Sequence, residues 1–172
     1  MECKRLCRPL FAAALALGLS AASMSGNADD ANITGMTAIV PGDTKLGDMK
    51  WQKAGKSVPY GMRVIALYGD PSKPGPYIYR FRVPTAYRLA PHTFPDDHVI
   101  TILKGIWWHG VGEHYDPFKM DEYGPGTFYV TSKNTPHFDF ARTEVVMQVM
   151  GFGPVENPIK YLNPDDDPRS RE

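Results

Sequence analysis

The chain has 172 residues, of which 42% are hydrophobic, and its 19 basic residues balance its 19 acidic ones. A chain of this length is enough for one domain with its own core. Because the net charge is zero and no long basic run occurs, the composition argues against nucleic-acid binding and against steering of partners by charge.

The N-terminus has the organisation of a secretory signal peptide. Three basic residues lie within the first eight, an Ala- and Leu-rich run covers residues 10–22, and the small residues Gly26 and Ala28 precede Asp29. The apolar run is too short to span a bilayer comfortably. We therefore predict a cleavable signal peptide over residues 1–28 and export to the periplasm or the medium.

Both cysteines, Cys3 and Cys7, lie inside this predicted signal peptide. After cleavage, for which a cut behind Ala22 is a second option, the chain has no thiol and no disulfide. The mature protein must therefore be held together by its core. No later apolar stretch indicates a membrane span, so we expect none after cleavage.

Residues 29–60 carry Gly, Pro, Asp and Lys with little periodicity, and we predict an N-terminal arm there. Eight short strands follow, separated by Gly- and Pro-rich turns. The clearest alternation is in residues 77–83, where Arg80 and Arg82 lie on the face that we expect to be the outer one. The predicted strands cover residues 61–69, 77–83, 87–92, 99–103, 106–112, 126–131, 136–140 and 144–150.

Helix is almost absent from this pattern. The only predicted helical turn covers residues 115–122, with Asp116 as N-cap and Pro117 in the first helical position. Residues 155–172 form a polar, Pro-rich C-terminal tail, for which we expect an arm or a disordered segment. Evenly spaced short strands with hardly any helix predict an all-β sandwich or barrel.

Three histidines lie at strand ends, where neighbouring strands can bring them together. His92 ends one predicted strand, while His98 and His137 each stand at the start of another. Neutral imidazoles that converge inside a barrel bind Zn, Fe, Ni or Cu and, with oxygen ligands, Mn. We predict that His92, His98 and His137 hold a divalent metal.

At these residues the chain resembles the cupin superfamily. The first cupin motif runs His-x-His, three or four residues, Glu, six residues, Gly; here His92, Phe94, His98 and Gly105 occupy those places. The second runs Gly, five residues, Pro-x-Gly, two residues, His, three residues, Asn, and residues 126–141 match that spacing around His137. The resemblance covers about residues 61–154. It implies a cupin-type double-stranded β-helix, a jelly-roll barrel with a metal site in its mouth.

The departures from the motifs affect the ligand set. Phe94 stands in the place of the second histidine and cannot bind a metal, and His98 stands in the place of the glutamate. Ser132, Asn134 and Ala141 replace Pro, Gly and Asn. Asn134 is a mild change, because Asn tolerates the left-handed conformation that a turn glycine supplies.

Further residues are candidates for the pocket. We predict Phe94, Asp97, Trp107 and Gln148 as pocket residues, Gln148 because it is a polar group on a strand of Val and Met. For Asp97 an ordinary solvated turn position is the competing interpretation, and for Phe94 and Trp107 it is plain core. We expect His109 and His114 at the surface or rim.

The function predicted from the resemblance is metal-dependent action on a small organic molecule, with oxidation, isomerisation and lyase chemistry left open. The competing hypothesis is a non-catalytic module that binds a small ligand without metal, which the loss of one ligand at Phe94 favours. A homodimer is a further expectation, since cupins commonly pair barrel to barrel. Whether the chain is an enzyme is not decided by its sequence.

Overall fold

A computed structural model describes residues 50–155 and 159–171, all of which belong to one compact unit, Pro41–Glu172. The predicted signal peptide and residues 29–49 of the predicted arm lie outside the described residues. No helix in the described part is long and apolar enough to cross a membrane.

Eleven strands make up the described fold. They form two antiparallel sheets, with the orders β1-β2-β3-β10-β5-β8 and β11-β4-β9-β6-β7. This is the double-stranded β-helix that the motifs predicted. The strands are β1 (Gln52–Lys53), β2 (Arg63–Tyr68), β3 (Gly75–Val83), β4 (Arg88–Thr93), β5 (His98–Lys104), β6 (Trp107–Val111), β7 (Met120–Tyr123), β8 (Phe128–Thr131), β9 (His137–Ala141), β10 (Val145–Gly153) and β11 (Lys160–Tyr161).

All eight predicted strands are confirmed, and their ends differ from the predicted ones by at most three residues. The predicted helical turn is shorter than expected. Only Pro117–Lys119 is helical, as a 3-10 turn whose N-cap Asp116 accepts a hydrogen bond from the Phe118 amide. The second half of that segment is strand β7, because its backbone pairs with the edge of β6. Pairing between two strands is not visible in the local pattern of either one.

The core lies between the two sheets. Val83, Ile102 and Val145 are fully buried and Phe138 is 1% exposed. Removing such side chains from water stabilises the fold by about 1.5–3 kcal/mol each. The second sheet extends to β11, so the described part of the predicted C-terminal tail contributes a strand to the barrel, and its Ile159 and Tyr161 join the core.

Two turns at one end of the barrel are bonded to each other and fix the ends of the histidine-bearing strands. The Asn134 amide donates to the Phe94 carbonyl at 2.7 Å, and the Lys133 amide donates to the Asp97 carboxylate at 2.7 Å. Asn134 has a φ of 58°, which is the left-handed conformation predicted for it. These bonds hold the chain near His98, at the start of β5, and near His137, at the start of β9.

Candidate metal centre

A cavity of about 360 Å³ lies between the sheets. Ligand pockets of small-molecule proteins begin near this size. Its polar residues include three histidines and one aspartate: His92, His98, His137 and Asp139. Its wall is otherwise mostly apolar and aromatic, and among the described lining residues there is no Lys or Arg. The larger lining side chains are Met62, Tyr77, Tyr79, Phe81, Leu89, Phe94, Ile100, Trp107, Tyr129, Met147, Val149 and Ile159.

His92 and His137 face each other across strands β4 and β9, where they are paired in register. Their ring centroids are 4.1 Å apart. Nδ1 of His92 is 2.8 Å from the Ala90 carbonyl, and Nδ1 of His137 is 2.8 Å from the Thr135 carbonyl. A carbonyl oxygen only accepts, so both rings carry their proton on Nδ1. Each Nε2 therefore offers a lone pair, as in a metal-binding histidine.

Asp139 completes a group of three with these histidines. It follows His137 by two residues on β9, so both side chains lie on the same face. One ligand atom from each of His92, His137 and Asp139 lies within 4.8 Å of the others. The His92 Nε2 to Asp139 Oδ2 distance is 3.9 Å. Two imidazole nitrogens and one carboxylate are a donor set for a divalent transition metal.

His109, on β6, holds the carboxylate in place. It faces Asp139 in the register of β6 and β9, and its Nδ1 donates to Asp139 Oδ1 at 2.7 Å. His109 is only 7% exposed, so the expectation of a surface or rim position was wrong for it, whereas His114 is exposed. The signal that was missed is alternation: His109 lies two residues after the inward-facing Trp107, as Asp139 lies two after His137.

The electrostatics of this group favour a bound cation. Burial, followed by the nearby His137, lowers the pKa of His92 from 6.5 to about 4, and burial also lowers the pKa of His137. Burial by itself raises the pKa of Asp139. The hydrogen bond from His109 and the neighbouring imidazoles lower that pKa by more, so the net shift is downward and Asp139 stays a carboxylate. At neutral pH the group thus presents two neutral imidazoles and one negative charge.

One atom of the group has no partner within the described protein. Nε2 of His92 is buried and makes no hydrogen bond. An unpaired buried polar atom is costly, and such atoms in native proteins call for an explanation such as an ion. The His92, His137 and Asp139 side chains therefore fit a divalent cation.

His98 has different partners from the other two predicted ligands. It lies on β5, in the opposite sheet, where its Nε2 is 2.9 Å from the Tyr77 hydroxyl and 3.2 Å from Asp96 Oδ2. Burial is the largest cause that lowers its pKa. The structure thus groups two of the three predicted histidines with Asp139 and gives His98 a separate polar cluster.

Phe94 and Trp107 are on the cavity wall, and the Phe94 ring centroid lies 5.1 Å from that of His92 and 4.4 Å from that of His98. Two other predicted pocket residues are elsewhere. Asp97 is exposed and accepts the Lys133 amide, because it belongs to the turn. Gln148 lies between Met147 and Val149, which face the cavity, so it points to the outer face.

On that outer face Gln148 accepts a hydrogen bond from Arg80 at 3.1 Å. The neighbouring Arg82 pairs with Glu144 at 2.7 Å. Both arginines therefore occupy the outer face that the alternation of residues 77–83 predicted. A polar residue on an apolar strand was a signal of a polar partner, and that partner is outside the cavity.

No protein-family model and no curated protein sequence matches the chain. Among solved structures, the polyketide cyclase RemF from Streptomyces resistomycificus has a TM-score of 0.60 at 18% identity, covering 77% of this chain and 90% of RemF. A candidate acetylacetone dioxygenase from Methylibium petroleiphilum PM1 has a TM-score of 0.55 at 17% identity, covering 77% and 88%. The DMSP lyase DddQ from Ruegeria pomeroyi DSS-3 has 0.54 at 16% identity, covering 68% and 62%.

At these identities the similarity establishes the fold. These neighbours are cupin-fold proteins, which agrees with the two motifs and with the two-sheet barrel. The chain is therefore a cupin-fold protein with a His-His-Asp group at its cavity.

Proposed function

We propose that the chain is a metal-dependent enzyme that acts on a compact, largely apolar organic molecule carrying an oxygen donor. The observation that supports this most directly is the buried, unpartnered Nε2 of His92, next to His137 and the Asp139 carboxylate, on a residue that lines an apolar cavity. Two imidazoles and a carboxylate suit Fe(II), Mn(II), Zn(II), Ni(II) or Cu(II).

A divalent metal held by His92, His137 and Asp139 would act as a Lewis acid toward a carbonyl or enolate oxygen. The protein side chains do the rest. The aromatic wall formed by Tyr79, Phe81 and other rings excludes water and orients an apolar substrate body. His109 keeps Asp139 turned toward the cavity through its hydrogen bond.

The fold neighbours support an enzyme without specifying the reaction. A cyclase, a candidate dioxygenase and a lyase are found on similar barrels. Because one fold supports many reactions, oxidation, isomerisation and lyase chemistry all belong to this proposal. The absence of cationic side chains among the described lining residues favours a substrate without a strong negative charge of its own.

Metal content is the first test. The mature chain is purified without a His tag, incubated with each metal in turn, dialysed and analysed by elemental mass spectrometry. We expect close to one metal per chain, and a loss of affinity of at least about 10- to 100-fold for His137→Ala and Asp139→Asn. His114→Ala is the matched control, because His114 is exposed. Retention of no metal by the unmodified protein would refute the proposal.

Turnover is the second test. The metal-loaded protein is incubated with compact carbonyl and phenolic compounds, and dioxygen uptake and product masses are recorded. We expect the unmodified protein to convert at least one of these compounds and the His137→Ala variant to convert none.

A non-catalytic ligand-binding module is the second candidate, and Phe94 supports it. Its ring fills a motif position that would otherwise hold a ligand and lies against His92 and His98. This candidate predicts that apolar compounds bind with the same affinity in the presence and absence of metal. Binding that requires the metal would exclude it.

We also propose export after removal of residues 1–28, and self-association as a homodimer. The basic start, the apolar run and the small residues before Asp29 support export. N-terminal sequencing of the protein from the periplasm or medium tests the cleavage site, and light scattering tests the dimer. An intact N-terminus starting at Met1 would contradict removal of residues 1–28. A monomer at all concentrations would contradict the homodimer.

A further inference from the structure

His98 belongs to a small polar cluster that is separate from the His-His-Asp group. The Tyr77 hydroxyl donates to Asp96 Oδ2 at 2.8 Å and lies 2.9 Å from Nε2 of His98. The same Nε2 is 3.2 Å from Asp96 Oδ2. Tyr77 and His98 both line the cavity, whereas Asp96 is not among its lining residues.

These bonds determine which nitrogen of His98 carries the proton. The Tyr77 proton is used by the Asp96 carboxylate, so the Tyr77 oxygen has only lone pairs to offer to His98. Nε2 of His98 must then be the donor to Tyr77 and Asp96. His98 therefore has the opposite tautomer to His92 and His137, whose protons are on Nδ1.

A protonated Nε2 has no lone pair for a metal, and neither ring nitrogen of His98 belongs to the group in which His92, His137 and Asp139 bring their ligand atoms within 4.8 Å of one another. On this basis we propose that Tyr77 and Asp96 hold His98 out of the metal's ligand set. The metal then has three protein ligands, His92, His137 and Asp139, and His98 remains a hydrogen-bonding group of the cavity wall for the substrate. This inference rests on the proposed metal-dependent function and deepens it.

The backbone is shaped to admit this cluster. Gly151, on β10, pairs in register with Tyr77. A Cβ at position 151 would overlap the Tyr77 hydroxyl and lie 2.9 Å from Asp96 Oδ2. The glycine thus leaves the space in which the carboxylate and the hydroxyl meet.

Asp96 also carries a cost that packing does not explain. Its Oδ1 is buried and has no hydrogen-bond partner among the described residues. A buried carboxylate oxygen without a partner destabilises the fold. This cost is explained if Asp96 acts at the site by bonding to Tyr77 and His98.

The consequence concerns the metal's open positions. A centre with three protein ligands leaves positions for substrate, whereas a fourth protein ligand would occupy one of them. Tyr77 and Asp96 are therefore positioning residues, since they act on the metal centre only through His98.

Cobalt(II) is the probe for the experiment, because its visible absorption reports the number and type of its ligands. His98→Gln should leave the Co(II) spectrum unchanged and the Co(II) affinity within about twofold of the unmodified protein, because the Nε2 of His98 bonds to Tyr77 and Asp96 and to none of the three proposed ligands. Tyr77→Phe combined with Asp96→Asn frees Nε2 of His98. This double variant should bind Co(II) about tenfold more tightly and with an altered spectrum.

Two controls separate ligation from general disturbance. Adding His98→Gln to the double variant should restore the original spectrum. Tyr68→Phe, which changes an exposed tyrosine on the neighbouring strand β2, should change neither spectrum nor affinity. The inference is overturned if His98→Gln alone weakens Co(II) binding tenfold or more with a changed spectrum, or if the double variant behaves as the unmodified protein.

Failure of the proposed function gives a different result. If the unmodified protein binds no Co(II), that proposal fails, and the tautomer of His98 in the metal-free protein decides the inference. Long-range nitrogen–proton NMR correlations should show the proton on Nε2 for His98 and on Nδ1 for His92 and His137. A proton on Nδ1 of His98 would overturn the inference independently of any metal.

Discussion

His92 is a fully buried imidazole that the fold keeps uncharged. Its folded-state pKa of about 4 lies below the ordinary value of 6.5. Above pH 6.5 both the folded and the unfolded chain carry it neutral, so it adds no pH dependence there. Between pH 6.5 and 4 the unfolded chain binds the proton first, so the free energy of unfolding falls as the pH falls.

The resulting prediction concerns the metal-free protein. Its free energy of unfolding should decrease by about 3 kcal/mol through this residue between pH 6.5 and 4. Urea denaturation at a series of pH values measures it. His92→Gln should flatten the decrease, and His114→Ala, which changes an exposed histidine, should not. An equally steep decrease in His92→Gln would show that other groups cause it.

Phe94 is the residue that separates this site from a four-ligand one. Its ring lies 5.1 Å from the His92 ring and 5.5 Å from the His137 ring, so a histidine there would stand beside both. Phe94→His should tighten Zn(II) binding about tenfold, or 1.4 kcal/mol. Competition with a chelator of known affinity measures the change. Phe94→Leu is the control, because it adds no donor; an equal gain in both variants would contradict ligation by residue 94.

Strand β10 leaves room for the Tyr77 hydroxyl at Gly151. Gly151→Ala would place a methyl group onto the Tyr77 hydroxyl, so we expect a loss of about 1–3 kcal/mol in the free energy of unfolding. Denaturant titration measures it. Gly124→Ala is matched, since its Cβ would meet only Ile106 at 3.8 Å. Equal stability of the two variants would show that β10 shifts freely at this position.

Strand β9 shows how one element makes most of the site. Alternation places His137 and Asp139 on the inner face, and the register with β4 and β6 brings them to His92 and His109. A two-residue spacing on a strand is visible in the sequence, so Asp139 was predictable in principle. The pairing of His109 with Asp139 depends on the register between β6 and β9, which the sequence does not reveal.

For the whole molecule, the sequence was sufficient for the fold, because eight strands and two motif spacings are local signals. Two members of the His-His-Asp group, His92 and His137, were also among the residues predicted from the motifs. The ligand set depends on which groups meet across sheets. The Tyr77 and Asp96 bonds to His98, and the outward turn of Gln148, follow from tertiary register, which residue order does not reveal.

The C-terminal segment contributes two residues to the core, Ile159 and Tyr161. Its polar composition did not predict this, because core packing depends on tertiary contacts. Strand β11 pairs Lys160 with Thr93 and Tyr161 with His92, so it braces the strand that bears a proposed ligand. Ile159, 2% exposed, packs in the core and lines the cavity. Ile159→Ala should therefore lower the free energy of unfolding by about 2–5 kcal/mol.

Lys160→Ala provides the matched control, because Lys160 is the next residue and its side chain is exposed. It should change the free energy of unfolding by no more than about 0.5 kcal/mol. Denaturant unfolding of both variants, metal-free and with Zn(II), also tests the brace: Ile159→Ala should bind Zn(II) more weakly, because β4 loses its support at His92. A stable Ile159→Ala variant with unchanged Zn(II) affinity would show that the barrel closes without its C-terminal strand.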